Sequence, residues 1–160
     1  MSIAVVCVGR MRESAYRALA DEYLRRLKRY GKIEETEIPD LPEPPGGGSP
    51  ALEERVRRRE GEGILKAIRP GDRVIAMTIS GRQMDSEELA AHIGALRAGG
   101  AGRLVFVIGG SLGLGQNVLQ RADEEISMGR MTFPHQLARV MLLEQLYRAE
   151  KIIAGERYHK

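Results

Sequence analysis

An apolar run that ends in glycines constrains this chain more than any other feature. Residues 104–108 (LVFVI) are five consecutive apolar positions, and four of the next seven residues, 109–115, are glycines. A short run with no alternating polar positions is typical of a strand buried on both faces, as in a parallel sheet. Ligands of open α/β sheets bind beyond the carboxyl ends of the strands, and glycine lets backbone approach a ligand closely. We therefore predict a ligand-binding loop at 109–115.

Strand patterns and helix patterns alternate along the whole chain. The sequence predicts strands at 3–9, 33–38, 74–79, 104–108 and 125–128, and helices at 14–30, 51–68, 86–97, 117–122 and 134–154. The connections are short except for the Pro- and Gly-rich segment 39–50, which we expect to be a flexible surface loop. Such alternation indicates an α/β fold with a mostly parallel sheet flanked by helices. At 160 residues, the chain is expected to form one domain.

The predicted last helix is apolar over most of its circumference. Nine large apolar side chains lie between positions 137 and 153. Packing on one core needs only a stripe of apolar positions, so this helix is expected to be buried on two sides. The simplest second partner is another copy of this chain, which predicts a homodimer.

Composition excludes several classes of protein. The single Cys7 cannot form an intramolecular disulfide and suits a reducing compartment. One cysteine and three scattered histidines show no metal-ligand spacing, so we expect no metal site. No secretory signal and no run of the ~18 apolar residues of a membrane helix is present, which predicts a cytoplasmic protein without membrane association. The net charge of +3 is by itself weak support for a nucleic-acid partner.

The glycine loop lacks both common phosphate-binding fingerprints. A Walker loop needs lysine after its last glycine, but Gln116 follows Gly115. The dinucleotide fingerprint needs a third glycine where this chain has Val118. With Leu112 and Leu114 in the loop, adenosine or another uncharged group is a better ligand than phosphate. A tight turn with no ligand stays open as an alternative.

Two further segments carry side chains that could take part in catalysis or binding. His135, at the entry to the last helix, is either a base or a capping residue, and position alone favours the structural role. The final residues 158–160 (YHK) are able to stack, accept a proton and pair with phosphate, although a terminus ordinarily frays.

Four segments of this chain together resemble the RlmH family. They are FVIGG at 106–110, MTFPHQL at 131–137, LEQLYRA at 143–149 and GERYHK at 155–160. That family comprises bacterial 23S ribosomal RNA pseudouridine N3-methyltransferases of the SPOUT superfamily. The resemblance spans the whole chain, with mild departures at Ser111, Leu112 and the glycine insert 46–48.

The resemblance implies a fold and a cofactor. The expected fold is one SPOUT methyltransferase domain over 1–160, with a C-terminal trefoil knot in the cofactor-binding part at about 104–160, acting as a homodimer with sites at the subunit interface. S-adenosylmethionine (SAM) is expected to bind in the knot, held by three loops. The implied cofactor-binding residues are Met77, Gly109, Met128, Gly129, Arg130, Met131, Thr132 and Phe133.

The resemblance also implies a reaction and a partner: methylation of N3 of a pseudouridine in the helix 69 loop of 23S rRNA, on the assembled 70S ribosome. Candidate catalytic residues are His159 and Tyr158, with His135 as another possible base. Candidate RNA contacts are Arg139, Arg148, Arg157 and Lys160, and Tyr158 could stack on a base. Two alternatives remain: a SPOUT enzyme for another RNA position, and a non-catalytic RNA-binding dimer.

Overall fold

The computed structural model describes residues 1–158, which form five strands and five α-helices. The strands are β1 Ser2–Val8, β2 Ile33–Ile38, β3 Arg73–Gln83, β4 Arg103–Ile108 and β5 Glu124–Ser127. The helices are α1 Ser14–Leu27, α2 Pro50–Ala67, α3 Ser86–Ala98, α4 Gln116–Arg121 and α5 His135–Ile153. His159 and Lys160 lie outside the described residues. The predicted α/β class and its order of elements are confirmed.

The five strands form one sheet in the order β2-β1-β4-β3-β5, and every neighbouring pair is parallel. The apolar run 104–108 forms most of β4, which lies at the centre of the sheet, and all six residues of this strand are buried. β2 lies at one edge and is only half-buried, as its mixed pattern predicted. The carboxyl ends of all five strands therefore lie along one edge of the sheet.

Helices cover both faces of the sheet. Alternate residues of β4 point to opposite faces, so Leu104, Phe106 and Ile108 belong to one core while Val105 and Val107 belong to the other. The first core is closed by α1, α3 and α5, and the second by α2 and α4. This three-layer arrangement buries the sheet on both faces, as expected for parallel strands.

Helix α5 finds both of its partners within its own chain. It packs between α1 and α3 and over β4, and its inward residues Leu143 and Leu146 have no exposed surface. The wide apolar stripe therefore does not by itself require a second copy of the chain. The argument from stripe width to a homodimer is corrected here, because α1 and α3 flank α5 within its own layer and cover both of its sides.

The ends of several elements differ from their predicted positions. Helix α1 stops three residues before the predicted end, and its N-cap is Glu13. Helix α2 runs without interruption through Gly61 and Gly63. A Cβ on Gly61 would lie 2.5 Å from the Asn117 side chain, so close packing against α4 explains this glycine. In the part of the chain that the structure describes, no helix is long and apolar enough to cross a membrane.

Candidate active site

The carboxyl edge of the sheet gathers the three predicted cofactor loops. They leave β3, β4 and β5, which are neighbours in the order β4-β3-β5. Helices α2, α3 and α5 follow the strands in antiparallel direction, so their N-termini face the same edge. Helix N-termini present unpaired N–H groups and a positive partial charge. Side chains cap two of these ends, Ser49 on α2 and Asp85 on α3, whereas the N-cap of α5, Pro134, makes no side-chain cap.

The loop in β3 leaves the sheet and returns to it. Met77 and Arg82 both pair with Ile126 of β5, so residues 78–81 bulge out between two pairings. The Thr78 hydroxyl donates a hydrogen bond to Glu125 Oε2 at 2.8 Å, which holds the bulge against β5. The side chain of Ile79 is exposed to 54% although it is large and apolar.

Gly81 and Gly9 are residues that sequence reasoning did not single out. A Cβ on Gly81 would lie 2.7 Å from the backbone of β5, so the bulge closes only with glycine there. Gly9, at the end of β1, has φ +91° and packs against the ring of His135. Gly9 follows an apolar run directly and Gly81 comes two residues after the predicted third strand, so their position at strand ends was the signal that could have found both.

The glycine loop after β4 is a tight turn. Gly113 N–H donates to the Gly110 carbonyl at 3.0 Å, and Gly113 has φ +83°. A Cβ on Gly109 would lie 2.6 Å from the carbonyl carbon of Gly113, and one on Gly115 would lie 2.8 Å from the carbonyl oxygen of Arg57. These glycines serve the packing of the turn against itself and against α2. Its role as a ligand loop stays a prediction.

The third loop, after β5, is held in shape by one serine. Ser127 Oγ donates to the carbonyl of Gly129 at 2.9 Å and accepts the N–H of the same residue at 3.1 Å. Beyond this turn Arg130, Met131 and Thr132 are exposed while Phe133 is half-buried, and Met131 is exposed to 75%. Exposed large apolar groups in neighbouring loops are typical of a surface that something else covers.

His135 begins α5 at the same edge. Its ring lies against Gly9, since Nε2 would be 2.9 Å from a Cβ built there. Burial, reinforced by the positive charge of Arg139, lowers the pKa of His135 below its ordinary value of about 6.5. The imidazole is therefore neutral at pH 7 and able to accept a proton.

Arg139 is a structural residue. Its side chain has no exposed surface, and its guanidinium donates to Glu37 at 2.7 Å, to Glu35 at 3.3 Å and to the Gly9 carbonyl at 2.7 Å. Its predicted contact with RNA phosphate is corrected, because a buried guanidinium committed to two carboxylates does not reach an RNA backbone. Instead it ties α5 to the ends of β1 and β2.

Tyr158 and Arg148 form a cluster halfway along α5. The Tyr158 hydroxyl donates to Glu144 Oε1 at 3.2 Å, and the Arg148 guanidinium carbon lies 4.7 Å from the centre of the Tyr158 ring. Arg148 also donates to Glu144, so both predicted residues share one carboxylate. Burial, together with the neighbouring Tyr23 and Glu144, raises the pKa of Tyr158 to about 12. Tyr158 is therefore a neutral phenol at physiological pH.

The structure does not bring Tyr158 together with the loops of its own chain. Glu144 follows His135 by nine residues, which corresponds to about 13 Å along the axis of α5. Arg157 is exposed beside this cluster, and the predicted His159 and Lys160 lie outside the described residues. Among residues 1–158, no group of three or more His, Cys, Asp or Glu side chains is placed to hold a metal ion.

Comparison with known protein families identifies the class to which this chain belongs. A family model described as "Predicted SPOUT methyltransferase" matches residues 1–159, so the chain belongs to the SPOUT methyltransferase family. The family resemblance inferred from the four motifs is thereby confirmed.

Individual relatives indicate which members of that family this chain resembles. The chain is 47% identical to a protein of Alkaliphilus oremlandii and 49% identical to one of Bifidobacterium animalis subsp. lactis, in each case over 160 residues and 100% of both chains. Both relatives are named "Ribosomal RNA large subunit methyltransferase H". A solved structure of a probable methylase family protein from Haemophilus influenzae Rd KW20 shares the fold, with a TM-score of 0.54 at 16% identity. That alignment covers 99% of this chain and 70% of the other.

Proposed function

We propose that this protein methylates N3 of a pseudouridine in the helix 69 loop of 23S rRNA, on assembled 70S ribosomes in the cytoplasm, with SAM as methyl donor. The observation that carries this proposal is the match along the whole length of both chains to relatives named as large subunit ribosomal RNA methyltransferases. The gathering of three loops at the carboxyl edge of a parallel sheet supports it, since that is where open α/β sheets bind ligands.

The residues at this edge suit SAM. Backbone N–H and C=O groups of the three loops can pair with the edges of an adenine and a ribose, and the exposed Ile79 and Met131 offer apolar walls. The Walker lysine and the dinucleotide glycine are both absent from the glycine loop, as suits a ligand without phosphate. When bound, SAM supplies a methyl group on a sulfonium that is already activated for transfer. The remaining tasks are alignment, worth roughly 7–11 kcal/mol, and removal of the N3 proton.

Among the described candidates for that proton, His135 has the right protonation state. It is neutral at pH 7 and lies at the loop edge, whereas Tyr158 is a neutral phenol whose hydroxyl is held by Glu144. We therefore assign proton acceptance to His135 or to water beside it, with His159 as the other candidate. Tyr158 serves to stack on the target base.

The tail acts on the neighbouring subunit of a homodimer in this proposal. Tyr158 is anchored about 13 Å along α5 from the start of that helix, so it stands away from the loops of its own chain. A trefoil knot is part of the same proposal. The segment 128–134 leaves β5 at the sheet edge, and α5 then packs beside α1, so this segment has to cross the ends of β3 and β4 beside loop 109–115.

Ribosomes from a strain lacking this protein test the function. They are expected to contain pseudouridine without the N3-methyl group at the target position, as measured by mass spectrometry of digested 23S rRNA. The purified protein with SAM is expected to restore the group on 70S particles. Intact methylation in the deletion strain would contradict the proposal, and methyl transfer to a different nucleotide would favour a SPOUT enzyme for another RNA position.

Removal of residues 158–160 is expected to abolish methyl transfer and to leave SAM affinity nearly unchanged, because the tail stands apart from the loops of its own chain. Calorimetric SAM binding and single-turnover methylation of ribosomes measure the two effects. A control mixes this truncated chain, expected to be inactive, with a Gly109→Ala chain, whose activity is expected to be about 100-fold lower than normal. Recovered activity supports a tail that acts on the partner subunit, and equal loss of binding and transfer would mean that the tail is structural.

A further inference from the structure

A groove of about 340 Å³ lies between helix α2 and the Pro-rich segment 39–50, outside the three cofactor loops. Its apolar wall includes Leu41, Pro44, Leu52 and Val56. Arg55 and Arg59 line it from α2 and are exposed. Leu52 is exposed to 47%, so the wall is open to solvent.

The two arginines of the groove, Arg55 and Arg59, lie one helical turn apart, and neither pairs with an acidic side chain among residues 1–158. Like charges at i and i+4 of a helix repel each other by about 0.2–0.5 kcal/mol. Within residues 1–158, neither Arg55 nor Arg59 forms an ion pair or a side-chain hydrogen bond. The nearby carboxylates Glu53 and Glu54 are taken by Arg57, at 3.6 Å and 2.9 Å. Since no ion pair in the described part of the chain offsets the repulsion between Arg55 and Arg59, these side chains are suited to bind an anionic ligand.

Two acidic residues near the pair do not neutralise it. Glu43 lines the groove but makes no ion pair in the described part of the chain. Glu60 follows Arg59 directly, but its side chain turns inward and is buried, where Oε1 accepts the N–H of Leu41 at 2.9 Å. The groove therefore keeps a net positive character.

Helix α2, which forms one wall of the groove, also contacts the glycine loop. Glu60 Oε2 would lie 3.0 Å from a Cβ on Gly110, so the carboxylate that holds the Pro-rich segment also touches the glycine loop. On the same helix, the Arg57 guanidinium reaches the carbonyl of Leu112 at 3.5 Å. An RNA strand leaving the carboxyl edge could therefore run directly onto α2.

We propose that this groove binds a single-stranded segment of rRNA next to the methylated nucleotide, with a base packed on the apolar wall and phosphates paired with Arg55 and Arg59. The inference rests on the proposed function and extends it, since it names a second contact with the substrate. Single-stranded RNA is recognised by stacking and apolar contact with splayed bases and by arginines on the backbone, which this groove supplies together. An acidic protein segment would use the arginines but has less need of the open apolar wall.

The double variant Arg55→Ala, Arg59→Ala tests the groove. Its KM for 70S ribosomes is expected to rise at least tenfold, with kcat at saturating ribosomes and the Kd for SAM unchanged. Binding of the variant to ribosomes should also depend less on salt, with the slope of log K against log salt reduced by one to two, because two phosphate contacts are lost. Unchanged KM and unchanged slope would overturn the proposal.

Two controls separate a local effect from a general loss of charge. Lys66→Ala with Arg69→Ala removes the same charge from the far end of α2 and should leave KM within twofold. Glu43→Gln removes the one carboxylate that faces the groove and should lower KM. Circular dichroism melting of each variant confirms that the fold is retained. An equal rise in KM in the Lys66, Arg69 variant would mean a diffuse electrostatic effect and would contradict a built groove.

A photo-crosslinker distinguishes RNA from protein as the occupant. With p-benzoylphenylalanine in place of Leu52, the crosslinks on ribosomes are expected to map to 23S rRNA beside the target nucleotide. Crosslinks to a ribosomal protein alone would overturn the proposal. If the unaltered protein transfers no methyl group to ribosomes, the proposed function fails, whereas the salt dependence of binding still decides whether the groove contacts RNA.

Discussion

Replacing Arg139 with alanine is expected to lower the free energy of unfolding by about 3–5 kcal/mol. The guanidinium has no exposed surface and is the donor to Glu35, Glu37 and the carbonyl of Gly9. After this change Glu35 and Glu37 keep the half-buried Arg17 as a partner, at 2.8 Å and 3.7 Å, but their charges are less well compensated than before. Equilibrium unfolding in urea, followed by circular dichroism, measures the loss.

A second variant shows whether the loss comes from charge. Adding Glu35→Gln and Glu37→Gln to the Arg139→Ala chain should recover part of the stability, because the two side chains then carry no charge and Arg17 keeps Asp21 as its partner at 2.8 Å. A loss below about 1 kcal/mol in the single variant would contradict a stabilising network. The ring of His135 provides an independent readout: since Arg139 lowers the pKa of His135, removing it should raise that pKa in an NMR titration.

The same network predicts the direction of acid destabilisation. Burial works to raise the pKa of Glu37, but the Met11 N–H and Arg139 outweigh it, so the folded-state pKa lies below the ordinary glutamate value of about 4.3. Glu37 therefore contributes stability above that ordinary value and loses the contribution as pH falls through its folded-state pKa. In the Arg139→Ala chain, this part of the decline in unfolding free energy below pH 5 should be smaller than in the unaltered protein.

Replacing Gly109 with alanine is expected to lower kcat/KM for methyl transfer about 100-fold, with a parallel loss of SAM affinity. A Cβ at this position would lie 2.6 Å from the carbonyl carbon of Gly113, and the three nearest atoms all belong to the Gly113–Leu114 peptide group, so no flexible side chain can move aside. The whole loop therefore has to shift, and a displacement of about 1 Å at a reacting centre can cost 10²-fold. Ribosome methylation kinetics and calorimetry measure the two losses.

Gly102→Ala is the matched control for this change. Gly102 lies directly before β4, at the other end of the strand, and a Cβ there would meet nothing within 4 Å. This variant should keep full activity. SAM affinity within twofold of normal in the Gly109→Ala chain would contradict the assignment of loop 109–115 to the cofactor.

The sequence predicted the sheet because local patterns carry that information. The apolar runs that became β1, β3 and β4 were recognised from their few polar positions. β1 and β4 are buried on both faces, and β3 is buried at Val74, Ile75 and Ala76. The edge strand β2 was recognised as less buried from its loose alternation of apolar and polar residues. The resemblance to the RlmH family was carried by short segments that are contiguous in the chain. Each of these signals is contained within a few consecutive residues.

Other features could not be predicted from the sequence, because they depend on contacts between residues that are far apart in the chain. Arg139 on α5 meets Glu35 and Glu37 across about one hundred residues, and no local pattern distinguishes a buried arginine from an exposed one. Gly61 was expected to weaken α2, but its missing side chain is what lets α4 pack closely. The groove between α2 and segment 39–50 was likewise invisible, since its two walls form only when that segment folds back on the helix.

By itself the sequence determined the α/β class, the order of the elements, the place of the loops after the strands, and the family. Tertiary structure alone decided that α5 is covered on both sides within one chain, and that Arg139 is a buried tie rather than an RNA contact. It also decided that, among residues 1–158, two arginines of α2 form no ion pair beside an apolar wall. The physical reason is the range of the interactions. Periodicity and backbone preference act over a few residues, whereas burial and charge pairing depend on which distant side chains share one space.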